Sequence, residues 1–321
     1  METWLITGIL GFAMSNFARH VLGNPNYKHV RIRGVARNTN QKHLRRLSGI
    51  DWSRIDLIYQ DLAEECSGLC DGADLVIHGA CRTFVNRSIS DPQAFFKNNV
   101  HATLNLLEDA RRHSVPRAIS ISTDEIYGSI EKGAYSEDAP ARPSNVYSSS
   151  KLASDGLFQS YATTYGLNTL ILRFENLYGP YQLEKVFPVF CKALMEGRKC
   201  GVYAPGNHVR QWLEISDGCS GILHMLEQDT KPADIFHIAG ARELKNLDLA
   251  RMIVSCFGFV DAPDDHIELI DASTIRAGHD QRYSLDTTKI QATGWQAMVP
   301  LEEGIPRTVQ WYRDHYLDWL A

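Results

Sequence analysis

Residues 3–14 read TWLITGILGFAM, and they give the clearest indication of the architecture. The apolar run over residues 3–7 predicts a buried strand, and the apolar periodicity after it predicts a helix that ends near Gly23. Glycines in the turn between strand and helix let the backbone approach a pyrophosphate, to which the helix N-terminus offers N–H groups and a positive dipole. We therefore expect a dinucleotide cofactor to bind at Gly8, Gly11, Phe12 and Ala13.

Further apolar runs predict strands that alternate with helices through the first half of the chain. The predicted strands are residues 30–36, 56–59, 74–80, 118–123 and 169–174. The two longest helices predicted in this part of the chain are residues 90–113 and 147–165. Strands that alternate with helices form a parallel sheet with right-handed crossovers. We therefore predict an α/β fold with a doubly wound parallel Rossmann-type sheet.

Beyond Pro180 this alternation weakens, which predicts a smaller, partly interleaved C-terminal substrate lobe. The predicted elements there are a helix over residues 188–196, a strand at 202–203, a strand and helix over 212–227, a strand at 235–239 and a helix over 301–320. We assign residues 1–180 to a dinucleotide-binding Rossmann domain, to which residues 212–240 return. Residues 181–211 and 241–321 form the predicted substrate lobe.

The composition of the 321 residues excludes several classes of protein. Hydrophobic residues make up 44% of the chain, and the net charge is −5 without a basic block. We therefore expect a large core and no nucleic-acid partner. No apolar run is long enough to span a membrane and the N-terminus lacks a secretory pattern, so we expect no membrane partner and a cytoplasmic location. Seven scattered cysteines favour reduced thiols, and we predict no metal site.

The residue after the second predicted strand favours one nicotinamide cofactor over another. An acid usually stands there and binds the adenosine ribose hydroxyls. This chain reads GVARNT over residues 34–39, so that Arg37 takes the place of the acid. A guanidinium can pair with a 2′-phosphate. We therefore predict NAD(P)+ as the cofactor, with NADP+ favoured and NAD+ as the alternative.

Two further motifs carry groups for acid–base chemistry. Tyr147 and Lys151 lie a turn apart on a predicted helix, where the ammonium favours the phenolate and lets the tyrosine act as a base. Thr123, Asp124 and Glu125 follow a central strand, at the sheet edge where ligands of such folds bind. Adjacent carboxyls in a shielded cleft have separated pKa values, so that one can act as an acid and the other as a base.

These motifs resemble those of a known family over nearly the whole chain. The matching segments are STDEIYG at 122–128, YSSSK at 147–151, NLYGPYQ at 176–182, VRQWL at 209–213, NLD at 246–248 and AGHDQRYSLD at 277–286. The chain resembles the nucleotide-sugar 4,6-dehydratases among the extended short-chain dehydrogenase/reductases, and within them the dTDP-glucose branch. The aspartate of the Thr-Asp-Glu set distinguishes this branch from related epimerases and decarboxylases.

The resemblance implies a redox-neutral conversion of a nucleoside-diphospho-hexose to its 4-keto-6-deoxy derivative. Tyr147, supported by Lys151 and oriented with Thr123, removes the 4-hydroxyl proton while hydride passes from C4 to the nicotinamide. Glu125 then takes the C5 proton, Asp124 protonates the departing 6-hydroxyl, and hydride returns to C6. The alternatives are a 4-epimerase, a UDP-glucuronate-type decarboxylase, and a non-catalytic NAD(P)-binding sensor.

The same resemblance assigns the remaining site residues. For the cofactor these are Asp61, Leu62, Ala80, Asn99 and Ser122, together with Tyr147 and Lys151. For the nucleotide-diphosphate sugar they are Arg82, Asn176, Lys185, Val186, Tyr203, Arg210, Asn246, Arg276 and His279, with Arg210 as the pyrophosphate partner. The family also implies a homodimer that forms through the helices beginning near Ser90 and Tyr147.

The chain departs from the family pattern in two places. Met14 stands where a third glycine normally allows close packing, so either the helix stands off the sheet or a small neighbour makes room. After the fourth strand the family usually reads AAESHVDRS, whereas residues 80–88 read ACRTFVNRS. Arg82, Phe84 and Asn86 make this loop more positive, which predicts that the sugar or the nucleotide differs from dTDP-glucose.

Overall fold

The structure is a computed structural model that describes residues 1–38, 40–64, 66–271 and 280–319. The described residues form twelve strands: β1 (Glu2–Thr7), β2 (Val30–Ala36), β3 (Ile55–Tyr59), β4 (Leu75–His78), β5 (Ala118–Thr123), β6 (Thr169–Phe174), β7 (Asn176–Tyr178), β8 (Cys200–Tyr203), β9 (Val209–Glu214), β10 (Asp234–Ile238), β11 (Glu243–Lys245) and β12 (Ile267–Ile270).

Seven of these strands form one central sheet in the order β10-β6-β5-β4-β1-β2-β3. Every neighbouring pair in it is parallel. The predicted doubly wound α/β fold is therefore confirmed. Because all seven strands run the same way, the residues that follow them meet at a single edge of the sheet, which is where ligands of open parallel sheets bind.

Helices cover both faces of this sheet. The helices of the described residues are α1 (Phe12–Gly23), α2 (Gln41–Leu44), α3 (Val85–Ser90), α4 (Pro92–Phe96), α5 (Ala102–Arg112), α6 (Val146–Tyr165), α7 (Val186–Met195), α8 (Ile215–Leu226), α9 (Asn246–Ser255), α10 (Thr288–Gln291), α11 (Leu301–Asp314) and α12 (Tyr316–Trp319). Trp4 and Ile6 share a buried cluster with α1 and α8, and Leu5 shares one with α5 and α6. Burial on both faces explains the nearly continuous apolar strands.

The helix predicted over residues 90–113 is confirmed, because α4, a π-helical turn and α5 follow one another without a break from Pro92 to Arg112. The short helix α3 before it was not predicted. Asp91 leaves the helical conformation at φ −140°, and its side chain accepts the Ala94 N–H at 3.2 Å, which begins α4. A π-helical turn, Lys97–His101, then joins α4 to α5. The helix predicted over 301–320, by contrast, is divided, because His315 leaves the helical conformation at φ −115° between α11 and α12.

The second half of the chain contributes to three sheets. A three-stranded sheet has the order β11-β9-β7, and β12 pairs with β8 in a two-stranded sheet. Strand β10 returns to the central sheet beside β6, with Ile235 opposite Ile171. The chain beyond residue 212 therefore belongs partly to the central sheet and partly to the smaller sheets. The domain boundaries drawn from the sequence stay a prediction.

The structure accounts for Met14 in place of the family glycine. Met14 is fully buried on α1 and faces Gly79, which follows β4. A Cβ atom at Gly79 would lie 2.4 Å from the Met14 Cγ and 2.8 Å from its Sδ. The missing side chain at Gly79 thus makes room for the methionine, and of the two explanations considered above the small neighbour is the one that applies.

We predict that Gly79→Ala lowers the free energy of unfolding by about 1–3 kcal/mol, the usual cost of overpacking a core. The loss should shrink in a Met14→Ala background, where the added methyl group has space. Chemical denaturation of the four proteins measures this coupling. Gly156→Ala on α6 is the matched control, because a Cβ there contacts nothing within 4 Å. Equal losses in both backgrounds would contradict the packing argument.

Candidate active site

The turn between β1 and α1 leaves room for a phosphate group. Gly8 has φ +70°, and a Cβ atom there would lie 2.8 Å from the backbone of Ala80. Gly11 is the N-cap of α1 and provides no side-chain cap, so no side chain accepts the first N–H groups of the helix. Phe12 and Ala13 are the first two residues of that helix and are half-buried. Open N–H groups beside a glycine cradle fit a dinucleotide pyrophosphate.

The other residues predicted for the cofactor follow strands of the same sheet edge. Arg37 is exposed directly after β2, and Ser122 lies within β5. Beyond β3, Asp61 is half-buried and accepts the Ala63 N–H at 3.0 Å, and Leu62 is buried. The structure therefore places these groups along one side of the sheet with the glycine turn.

The Asn99 side chain joins two parts of the site. Its side chain accepts the Arg82 N–H at 2.8 Å and donates to the Arg82 carbonyl at 3.1 Å. It also donates to the Ser150 hydroxyl at 2.9 Å. Asn99 is buried, and these bonds tie the loop after β4 to helix α6. The side chain thus positions two parts of the site, and this use of its amide was not foreseen from the sequence.

Strand β5 ends at the acid–base pair. Thr123 is extended at φ −144° and caps a single 3₁₀ turn, Asp124–Tyr127. Its hydroxyl accepts the Glu125 N–H at 3.3 Å and donates to Asp124 Oδ1 at 3.2 Å. Asp124 is buried, whereas Glu125 is half-buried. The turn thus separates two adjacent carboxyls into different environments.

These environments change the acidity of Asp124. Burial, and to a lesser degree the charge of Glu125, raise the pKa of Asp124 to about 7, while Arg210 acts in the opposite direction. A charged carboxylate is costly in the interior, so the neutral acid is favoured. Asp124 can therefore hold a proton near neutral pH, as a general acid requires.

Helix α6 brings the tyrosine to the same place. Asn145 caps α6 by accepting the Ser148 N–H at 2.9 Å, and its amide donates to Glu125 Oε2 at 3.4 Å. Tyr147 is buried near the start of this helix and hydrogen-bonds to Thr123. The cap thus joins the beginning of the helix to the base of the acid–base pair. The Asn-x-x-Ser spacing before an apolar-periodic run was a signal for this cap that the sequence analysis did not use.

The electrostatics of Tyr147 differ from the expectation. Burial raises the pKa of the Tyr147 phenol well above its usual value, Cys81 and Glu125 raise it further, and the Thr123 hydrogen bond opposes them. The Lys151 ammonium is buried and donates to the Ile121 carbonyl at 2.8 Å. In the chain without cofactor, the pKa of Tyr147 is therefore raised by desolvation rather than lowered by Lys151, as had been expected.

Glu175 is a third acid at this edge, and the sequence analysis missed it. It directly follows β6, whose last residue, Phe174, pairs with Thr123. Burial raises the pKa of Glu175 well above its usual range, and nearby Asp124 adds to the shift. One carboxylate oxygen accepts the Gly240 N–H, and the other lacks a hydrogen-bond partner among the described residues. A lone acid after an apolar strand was the available signal.

The residues predicted for the sugar nucleotide come from several elements. Asn176 begins β7, Val186 begins α7, Tyr203 ends β8 and Asn246 begins α9. Arg210 on β9 is buried, with its guanidinium donating to the Asp280 carbonyl at 2.8 Å and stacked 4.2 Å from the centre of the Tyr283 ring. Arg210 also lies close enough to Asp124 to affect its pKa. Arg276 and His279 lie outside the described residues.

The unusual loop after β4 contacts the residues just before α7. The Lys185 ammonium lies 4.7 Å from the centre of the Phe84 ring, and the Arg87 guanidinium lies 4.5 Å from it. Arg87 also forms an ion pair with Glu184 at 3.0 Å. Arg82 is paired with Asp91 at 3.8 Å. Of the residues that depart from the family pattern, Phe84 therefore lies against Lys185, the residue before α7.

Two further features bear on the class of protein. Within residues 1–38, 40–64, 66–271 and 280–319, no group of three or more histidine, cysteine, aspartate or glutamate side chains could hold a metal ion. No helix in that part of the chain combines the length and the apolar character that a membrane span needs.

Comparison with known proteins identifies the family. The family model described as GDP-mannose 4,6 dehydratase matches residues 5–308. The chain is 37% identical to a dTDP-glucose 4,6-dehydratase of Streptomyces niveus, over 98% of this chain and 94% of that protein. The crystal structure of DesIV, a dTDP-glucose 4,6-dehydratase from Streptomyces venezuelae with NAD bound, superposes with a TM-score of 0.90 at 34% identity, over 99% of this chain and 98% of that one.

A more distant structure shares the fold alone. The UDP-glucuronic acid 4-epimerase of Bacillus cereus has a TM-score of 0.89 at 23% identity, over 98% of this chain and 100% of that one. Together the fold and the full-length matches define a short-chain dehydrogenase/reductase that acts on nucleotide sugars. Within that class, the chain belongs to the GDP-mannose 4,6-dehydratase family. The resemblance noted in the sequence is confirmed.

We predict that Asp124 makes stability depend on pH. Its pKa in the folded chain, about 7, lies above that of an unfolded aspartate, so its stabilising contribution is complete at low pH and is lost as pH rises through 7. Between pH 5 and 7, the free energy of unfolding of the wild type should fall, relative to that of Asp124→Asn, by up to about 1.4 kcal/mol per pH unit. Urea denaturation across this range measures the difference. The control is the exposed change Asp138→Asn, whose free energy of unfolding should depend on pH as that of the wild type does. If the curves of unfolding free energy against pH for Asp124→Asn and the wild type run parallel, the raised pKa is contradicted.

Proposed function

We propose that this chain is a nucleoside-diphosphate-sugar 4,6-dehydratase, a carbon–oxygen lyase that depends on a nicotinamide cofactor. The observation that carries the proposal is the buried Asp124, with its raised pKa, beside a half-buried Glu125 and joined through Thr123 to Tyr147. An elimination of water needs an acid for the leaving oxygen and a base for the C–H bond. Both groups lie next to a tyrosine that can act on the sugar 4-hydroxyl.

The residues divide the reaction among themselves. Tyr147 accepts the proton of the 4-hydroxyl, and Lys151 holds a positive charge on the same helix face. When bound, the nicotinamide accepts a hydride from C4 and later returns it to C6. Glu125 removes the C5 proton, which the adjacent ketone has made acidic. Asp124 gives its proton to the departing 6-hydroxyl, which leaves as water.

The cofactor proposal rests on the cradle described above and on relatives solved with NAD. Gly8, Gly11, Phe12 and Ala13 would hold the pyrophosphate. Other cofactor contacts proposed by resemblance are Asp61, Leu62, Ala80, Asn99, Ser122, Tyr147 and Lys151. The finer proposal is NADP+ over NAD+, because the exposed Arg37 stands where a ribose-binding acid is usual.

The nucleotide-diphosphate sugar is proposed to contact both lobes. The residues proposed for it are Arg82, Asn176, Lys185, Val186, Tyr203, Arg210, Asn246, Arg276 and His279. The contacts of Phe84 with Lys185 and Arg87 support a changed environment at the sugar or the nucleotide. We therefore propose that the preferred substrate differs from dTDP-glucose. A cytoplasmic location stays a prediction from the sequence.

A homodimer is proposed through the helices that begin near Ser90 and Tyr147. Large apolar side chains on these helices are exposed, among them Phe96, Leu104 and Tyr165. Covering them with a second copy of the chain would remove apolar surface from water, which favours association.

The test of the function is incubation with a panel of nucleoside-diphospho-hexoses, including dTDP-glucose, followed by mass spectrometry. We expect one sugar to lose the mass of one water. Loss of carbon dioxide from a sugar acid would instead identify a decarboxylase, and an unchanged mass with inverted C4 an epimerase. No change with any sugar despite bound cofactor would identify a sensor. Ordinary turnover of dTDP-glucose would contradict only the proposed change of substrate.

Asp124→Asn is the variant that assigns the acid. Loss of the acid should slow elimination on the order of 10²–10⁴-fold, while oxidation at C4 continues, so that the absorbance of the reduced nicotinamide accumulates. Stopped-flow absorbance and rapid-quench mass spectrometry follow the two steps separately. Asp138→Asn makes the same replacement of a carboxylate by an amide at an exposed position, and it should behave as the wild type. Equal slowing of both steps would argue against Asp124 as the acid.

Arg37→Ala should weaken NADP+ binding by about 10-fold or more and leave NAD+ binding nearly unchanged, because a guanidinium–phosphate pair contributes about 1.5–3 kcal/mol. Titration calorimetry with both cofactors on the cofactor-free protein measures the two affinities. Exposed Arg45→Ala serves as the control for a lost surface charge. A wild type that prefers NAD+ clearly would exclude this role for Arg37.

A further inference from the structure

The proposed dehydration leaves two groups of the enzyme in the wrong protonation state. Tyr147 gains the proton of the sugar 4-hydroxyl, and Asp124 loses its proton to the 6-hydroxyl that departs as water. The C5 proton that Glu125 takes is returned to C5 when the hydride arrives at C6. After each turnover, therefore, Tyr147 holds one proton more than at the start and Asp124 one fewer. The next turnover needs a net transfer of one proton from Tyr147 to Asp124.

The Thr123 hydroxyl contacts both of these groups. It donates to Asp124 Oδ1 at 3.2 Å, accepts the Glu125 N–H at 3.3 Å and hydrogen-bonds to the Tyr147 phenol. A hydroxyl has one proton to donate and two lone pairs to accept with. Because the proton is given to Asp124 and one lone pair to Glu125, the second lone pair can accept the Tyr147 O–H. After elimination, when Tyr147 is protonated and Asp124 is ionised, the hydrogen bonds of Thr123 therefore run from the phenol to the carboxyl.

The same three groups are shielded from water. Relative exposure is 8% for Thr123, 4% for Asp124 and 7% for Tyr147. The second oxygen of Asp124 has no hydrogen-bond partner among the described residues. During elimination, Oδ2 is therefore available to the departing hydroxyl while Oδ1 accepts the hydrogen bond from Thr123. A bound sugar would cover the cleft further. Proton transfer from Tyr147 to Asp124 through Thr123 is therefore shorter than transfer through bulk water.

We propose that Thr123 returns the proton from Tyr147 to Asp124 at the end of each turnover. The Tyr147 O–H bond breaks as its proton bonds to Thr123 Oγ1, and the original Thr123 O–H bond breaks as its proton bonds to Asp124 Oδ1. Rotation of the Asp124 carboxyl about its Cβ–Cγ bond then turns the protonated oxygen toward the substrate, and rotation of the Thr123 hydroxyl restores its hydrogen bond to Asp124. Thr123 is unchanged overall, and nothing is oxidised or reduced. This inference rests on the proposed dehydratase function, and it adds a task for Thr123 beyond orienting the tyrosine.

The pKa values of Tyr147 and Asp124 determine when the proton transfer between them is favourable. Burial holds the pKa of Tyr147 well above 10 and that of Asp124 at about 7 in the chain without cofactor, so that the proton then remains on the phenol. A positive charge beside a phenol lowers its pKa. The oxidised nicotinamide is positively charged, so we expect the return transfer to be favoured only in the cofactor-loaded enzyme.

Thr123→Val removes the hydroxyl and keeps the shape, and Thr123→Ser keeps the hydroxyl. The substrate is the nucleoside-diphospho-hexose that the wild type dehydrates. In Thr123→Val the first turnover uses the proton already on Asp124, and each later one waits for the return. We expect a burst of one product per active site, followed by turnover slower on the order of 10²-fold. Thr123→Ser and the wild type should show no burst in rapid-quench measurements.

A second measurement separates the relay from a merely orienting role. Without the hydroxyl, Asp124 must regain its proton from solution, so the later turnovers of Thr123→Val should accelerate with the concentration of imidazole buffer at constant pH. The wild type should not respond. Equal slowing of first and later turnovers without buffer dependence would overturn the proposal, and so would a wild type that responds to buffer. Thermal unfolding and bound-cofactor absorbance check that the variants are folded.

Failure of the relay can be distinguished from failure of the proposed function. If no sugar of the panel is dehydrated by the wild type, the function itself is wrong. If the wild type dehydrates a sugar at a steady rate and Thr123→Val shows neither burst nor buffer dependence, only the relay is wrong.

Discussion

The site depends on a carboxyl that keeps its proton because it is buried at the end of a strand. Asp124 directly follows the central strand β5, and the surrounding chain admits little water to it. Ionising an acid in such a place is costly, and this cost is what makes Asp124 a proton donor near neutral pH. Glu125, one residue further along a 3₁₀ turn, is half-buried. A single turn of backbone thus gives two adjacent acids different chemistry.

A buried polar network holds this turn against the helix that carries Tyr147. Arg173 on β6 donates to Asp155 on α6 at 3.0 Å and also to the hydroxyl of Tyr127, the last residue of the 3₁₀ turn. The Tyr127 hydroxyl lies 2.7 Å from His237 Nε2 on β10. Four secondary-structure elements therefore meet through side chains that would be costly to leave unpaired. Such a network restricts how far the acids and the tyrosine can move apart.

Two departures from the family pattern have different consequences. Met14 is compensated within the fold, because Gly79 provides the space that the missing third glycine would have left on the helix. The altered loop after β4 has no such compensation among the contacts described above. Phe84 lies between Lys185 and Arg87, and Arg87 is paired with Glu184 of the second lobe. Charges and an aromatic ring thus connect this loop to the residues before α7, where the sugar nucleotide is proposed to bind.

The sequence by itself determined the parallel sheet, the glycine turn and the Thr-Asp-Glu and Tyr-Lys sets, because periodicity and short motifs are local properties. It did not reveal the short helix α3 before Asp91 or the π-helical turn at Lys97–His101. The amide of Asn99, the third acid Glu175 and the high pKa of Tyr147 were decided only by the tertiary structure. Burial and hydrogen-bond partners come from residues distant in the chain, and no local pattern specifies them.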